Sequence, residues 1–164
     1  MKLNLLIKIS FLSWVIFFNN VFATTNQQSF SLNARDPLKI LNQINQYRTK
    51  HGLSPLYHGK YLSEIAAAHS RDMAELKIPF GHKGFDKRSQ EIFSEYKFYR
   101  PQAFAENVVM NYCDDDKKIV ELWLASSSHR KNIEGDYNWT GIGKIIDKNG
   151  MVYVTQVFLK IKGH

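Results

Sequence analysis

Cysteine is almost absent: Cys113 is the only one in a chain of 164 residues. One thiol excludes an intrachain disulfide framework and every zinc site built from several thiolates. The four prolines and nine glycines are dispersed, with no repeat, no Gly/Ser linker and no second composition regime. The length therefore suits one domain, and it is too short for a barrel enzyme of about 250 residues. No serine sits in a Gly-x-Ser-x-Gly elbow and no glycine loop has the phosphate-cradling pattern. Acids are outnumbered 15 to 22, for a formal net charge of +7. The cations are spread along the chain instead of gathering in one stripe, which argues against nucleic acid as partner.

What is present is enough to build a core: 44% of residues are hydrophobic and 13% aromatic, which excludes global disorder. The one long apolar run is at the N-terminus. Lys2 and Lys8 give a positive start, Ile9 to Phe18 an apolar centre, and Val21-Phe22-Ala23 a small-x-small ending. This is the pattern of an export signal cut after Ala23, and it is shorter than the roughly 20 apolar residues that span a bilayer. The expected layout is a signal peptide over 1–23, a polar lead-in over 24–35 and one folded domain over 36–164. The product is expected to be exported, periplasmic or extracellular, with no transmembrane segment in the mature chain, and monomeric. Cleavage removes two lysines and no acid, so the mature chain stays basic.

Asp36-Pro37 reads as a helix start, followed by Leu38, Leu41 and Ile44 at helical spacing up to Gly52. A second helix is expected from Tyr61 to Leu76, with Leu62, Ile65, Ala66, His69, Met73 and Leu76 on one stripe. Asp86 to Tyr96 predicts a short third helix, and Phe104 to Met110 a buried strand. Asp114 to Asp116 suit the positive end of a helix carrying Ile119, Val120, Trp123 and Leu124. Ser126 to Ser128 are expected to fray it. Trp139–Ile146 and Met151–Leu159 then read as a hairpin, with Asn149-Gly150 as a type I′ turn. Three antiparallel strands covered by helices give an α+β layered domain.

Six histidines are available. His51 suits the last turn of the first helix, His58 lies in a loop and His164 is terminal. His69 falls on an apolar stripe, where a hydrogen-bonded core histidine is the expectation. Cys113 is a poor nucleophile beside three aspartates and reads as a half-buried small residue. His82 and His129 stand out because both are expected just outside regular structure. Glu106 opens a buried strand, and a carboxylate there needs a partner. His82, Glu106 and His129 form a zinc set with an open fourth position if they converge; spacing alone leaves convergence and separation both open.

Several short motifs, in order, carry a family likeness. They are Tyr47-Arg48 before Gly52-Leu53, Ala66 to Ala74, and Gly81-His82-Lys83-Gly84-Phe85. Then come Ala105-Glu106-Asn107, Trp123-x-x-Ser126-x-x-His129-Arg130-x-Asn132-Ile133, Thr140-Gly141-Ile142-Gly143 and Tyr153 to Phe158. Together they resemble the CAP superfamily in its bacterial form: cysteine-rich secretory proteins, antigen 5 and pathogenesis-related proteins, the SCP domain. The resemblance implies an α-β-α sandwich with a central cleft that gathers two histidines and two acids, with zinc in some members. His82, Glu106 and His129 match three of the four, and Ser126 stands where the second acid would be. It also implies a binding protein for a lipid, an envelope polymer or a protein partner. A metal-assisted hydrolase with Glu106 as zinc ligand or catalytic base is the alternative, and an envelope protein with an inert cleft a third reading. Arg130 and Lys131 follow the cleft histidine and suit an anionic headgroup or polymer.

Overall fold

The computed structural model describes residues 37–162. The export signal, the lead-in, Asp36 and His164 lie outside the described residues. Helix α1 (Leu38–Lys50) is followed by strand β1 (Tyr57–His58), α2 (Lys60–Ala74), α3 (Phe85–Glu95) and a 3₁₀ turn (Lys97–Tyr99). Then come β2 (Pro101–Asn111), α4 (Asp116–Ala125), α5 (Ser127–Glu134), β3 (Trp139–Ile146) and β4 (Val152–Ile161). The sheet order is β1-β3-β4-β2. The three expected antiparallel strands are there, and β1 adds a fourth by pairing two residues parallel to β3.

Alternation along the strands builds two cores, one on each face of the sheet. Ala105, Ile142, Val154 and Phe158 meet Ile40, Ile44, Ile119, Trp123 and Ile133 of α1, α4 and α5. On the other face Val157, Leu159 and Ile161 meet Leu62 and Ala66 of α2 and Ile92 of α3. The result is an α-β-α sandwich with both faces of β4 buried. Helix α2 lies closest. Its Ser70 Oγ is 2.9 Å from both the Gly143 carbonyl oxygen and Thr155 Oγ1, and its Ser63 Oγ accepts from Ile142 N–H at 3.1 Å.

Two buried cations tie separate elements together. Arg48, 2% exposed, donates to the carbonyls of Ser54, Ile133 and Gly135, joining the end of α1 to the end of α5. Burial lowers its pKa, partly offset by Asp136. Lys144 on β3 pairs with Asp114 at 2.5 Å and Asp116 at 2.6 Å, and Asp115 caps α4 by accepting from Lys117 N–H. The acidic triplet thus does more than favour a helix start: it neutralises a buried lysine.

Three expectations are corrected. Ser126 to Ser128 do not fray α4; Ser126 is the N-cap residue of α5, so His129 lies inside a helix instead of after one. The hairpin turn is not type I′. Gly150 alone has positive φ (+82°), and its N–H donates to the Asp147 carbonyl, which is a type I turn ending in a left-handed glycine. Cys113 is exposed, not half-buried.

Leu76 follows the end of α2 with φ +57° and is 83% exposed. Lys77 N–H reaches back to the Asp72 carbonyl at 2.9 Å, so Leu76 holds the left-handed position that glycine usually fills. Leu76→Gly should therefore raise stability by about 1 kcal/mol. Thermal unfolding checks this, and an unchanged or lower midpoint would refute it.

Candidate functional site

Glu106 and Asn107 are neighbours on β2, so they face opposite sides of the sheet. That single fact assembles the site from both layers. Glu106 turns toward α2 and α3. Its side chain has no exposed surface. Oε2 accepts from Arg88 Nε at 2.8 Å, and Oε1 accepts from Arg88 Nη2 at 2.8 Å and His82 Nδ1 at 2.9 Å. The partner that a buried carboxylate requires is thus Arg88, with an additional bond to His82. Arg88 was not singled out from the sequence; in the charged stretch Asp86-Lys87-Arg88 nothing marks the one cation that turns inward.

Asn107 turns toward α5. Its Nδ2 donates to the His129 carbonyl at 3.1 Å, and its Oδ1 accepts from Asn132 Nδ2 at 2.9 Å. Asn132 Nδ2 also lies 3.2 Å from the Glu106 carbonyl oxygen. The two asparagines fix α5, and with it His129, against β2. Ser126 and His129 are one turn apart at the start of that helix, with Ser126 Oγ 3.1 Å from Ser128 Oγ. Along the same helix an open depression of about 400 Å³ is lined by Ser127, Arg130, Lys131, Glu134 and Tyr137 among others, with neither Ser126 nor His129 in its wall.

His69 is a core histidine, as expected, with 1% of its side chain exposed. Its Nε2–H donates to the Gly81 carbonyl at 2.8 Å, which anchors the loop that carries His82. The same nitrogen lies 3.8 Å from Glu106 Oε1. Its Nδ1 is buried with no hydrogen-bond partner among the described residues. Burial lowers the His69 pKa, assisted by Arg88 and opposed by Glu106. The His129 pKa is also lowered, by burial first and by His82 second. Both shifts favour the neutral ring.

His82 is half in water, with 52% of its side chain exposed. The carboxylate can only accept, so Nδ1 carries the proton of that bond. The other ring nitrogen, Nε2, is then the one left to meet a ligand.

The comparisons with known proteins agree with this architecture. The model of the cysteine-rich secretory protein family, CAP, matches residues 41–158. The chain belongs to the CAP family. An uncharacterized membrane protein of Bacillus subtilis, YlbC, is 36% identical over 123 residues, 74% of this chain and 34% of its own. A second B. subtilis protein, the uncharacterized YkwD, is 28% identical over 81% of this chain and 50% of its own. The CAP chain here thus spans between a third and half of the curated relatives it matches. An extracellular protein of Bacillus anthracis containing an SCP domain superposes with TM-score 0.61 at 26% identity, over 75% of this chain and 39% of its own. An outer surface protein of Borrelia burgdorferi shares the fold, with TM-score 0.65 at 18% identity, over 79% of this chain and 98% of its own. No helix among the described residues is long and apolar enough to cross a membrane.

Proposed function

We propose that this chain is an exported CAP-domain binding protein whose recognition site is the rim of β2, with His82 and His129 as the ligand-facing groups. The observation that carries the reading is the state of Glu106. A carboxylate with no exposed surface, accepting from a guanidinium through both oxygens, is out of reach of a substrate water. It is also a poor metal ligand, because an ion drawn to it would have to displace or face Arg88. Glu106 is a positioning residue, fixing the tautomer and aim of His82 as carboxylates do for functional imidazoles. The zinc set His82–Glu106–His129 accordingly does not fit, and an ion would rest on the two imidazoles alone. Export rests on the pattern of the first 23 residues and on the extracellular B. anthracis relative.

Two assays on the same preparations test this. Titration with zinc alone, followed by calorimetry, should give weak binding that is lost in His129→Ala. Binding should fall below about pH 6.5, where imidazoles begin to charge, although the lowered His129 pKa keeps that ring available further down. Equal binding by wild type and His129→Ala would remove the ion from the proposal. Ester or amide turnover that vanishes in a folded Glu106→Gln would replace binding by hydrolysis.

A further inference from the structure

We propose that the turn Lys97–Arg100 is a membrane-surface anchor, which seats the domain on anionic phospholipid independently of the β2 rim. Phe98 is 85% exposed and Tyr99 55% exposed. A lone apolar residue at a surface needs no explanation. Here, however, the two aromatics are bracketed by the exposed cations Lys97 and Arg100, and Lys162 joins them from the end of β4. Glu95 is the one acid in the stretch from 95 to 100. Aromatic rings beside lysine and arginine are the composition of interfacial anchors: the rings enter the headgroup boundary and the cations meet lipid phosphate.

The turn is also built to hold that display. Arg100 N–H donates to the Lys97 carbonyl at 3.3 Å, and Lys162 N–H is shared between the carbonyls of Tyr99 and Arg100 at 3.2 and 3.3 Å. Arg100 stays at φ +52°, a conformation that non-glycine residues seldom adopt. The Tyr99 ring lies 6.1 Å from that of Tyr96, and Lys97 Nζ is 5.1 Å from the Phe98 ring centre. The backbone is therefore fixed before binding, and the exposed phenyl needs no rearrangement to reach a surface. Pro101 pairs with Ile161 at this end of the sheet, so docking here leaves Glu106 and Asn107, further along β2, clear of the membrane. A soluble anionic polymer would engage the cations but offers the phenyl no apolar medium, which is why lipid is the fitting partner.

Phe98→Trp in the full chain makes a local reporter, since the substituted side chain is 85% exposed and an indole keeps an aromatic face for Lys97. Its indole emission, read as the difference from wild type, should shift to the blue on adding vesicles of phosphatidylglycerol mixed with phosphatidylcholine. Vesicles of phosphatidylcholine alone should leave it unmoved. In that background Lys97→Gln and Arg100→Gln should each weaken the response about fivefold, and salt of about 0.5 M should weaken it further. Emission unmoved by the anionic vesicles, or moved equally by neutral ones, would overturn the proposal. So would a shift produced by an anionic glycan polymer or a protein partner and not by vesicles.

Discussion

Gly143→Ala should cost at least about 3 kcal/mol, and Gly141→Ala nearly as much, in urea or thermal unfolding. A Cβ on Gly143 would stand 2.1 Å from the Ala67 backbone nitrogen and 2.3 Å from its Cα; one on Gly141 would stand 2.1 Å from the Leu62 carbonyl carbon. The atoms in the way are helix backbone, which cannot rotate aside as a side chain can. The whole of α2 would have to rise off β3, giving up the burial of Leu62 and Ala66 and the bonds of Ser70. Gly150→Ala is the control. Its Cβ meets nothing within 4 Å, so only the cost of φ +82° remains, about 1 kcal/mol. Equal losses for Gly143→Ala and Gly150→Ala would show that close approach is not what Gly143 provides. The effect reaches the site as well, because α2 carries His69, and His69 holds the Gly81 carbonyl beside His82. A variant that still folds should therefore also lose affinity at the β2 rim.

The sequence pattern announced most of the scaffold, because long amphipathic helices and a hairpin carry their own periodicity. Strand β3 has the expected bounds, and α2 and α3 lie within two residues of theirs. Strand β1 was illegible because two residues cannot show a period. The break at Ser126 was legible but ambiguous: serine suits a fraying end and an N-cap equally, and only the return of the chain onto β2 decides between them. At the site the same limit applies. Glu106 could be singled out as a buried carboxylate in need of a partner, but Arg88 lies 18 positions earlier in a helix of ordinary surface composition. Asn107 and Asn132 were legible only as letters of a motif. Their work is to bridge a strand and a helix, a relation that exists only in three dimensions.

Arg88→Ala should destabilise the fold by about 3–5 kcal/mol, the usual result of leaving a buried charge without its partner. The two halves of the pair are not equivalent. Arg88 keeps 12% of its side-chain surface in water, whereas Glu106 keeps none. Removing the cation strands a fully buried carboxylate with His82 as its sole side-chain hydrogen-bond donor. Glu106→Gln instead leaves a partly hydrated guanidinium and preserves an acceptor for it, so its cost should be smaller. Replacing both by apolar residues, Arg88→Met with Glu106→Leu, should recover much of what Arg88→Ala loses, because neither charge is then buried alone. The double variant would still lose the carboxylate that aims His82. Near-native stability combined with a weakened ligand response at the β2 rim would separate the two roles of Glu106. Arg88→Ala within about 1 kcal/mol of wild type would mean that the carboxylate is solvated after all. Glu106 would then regain its claim as a metal ligand or a base.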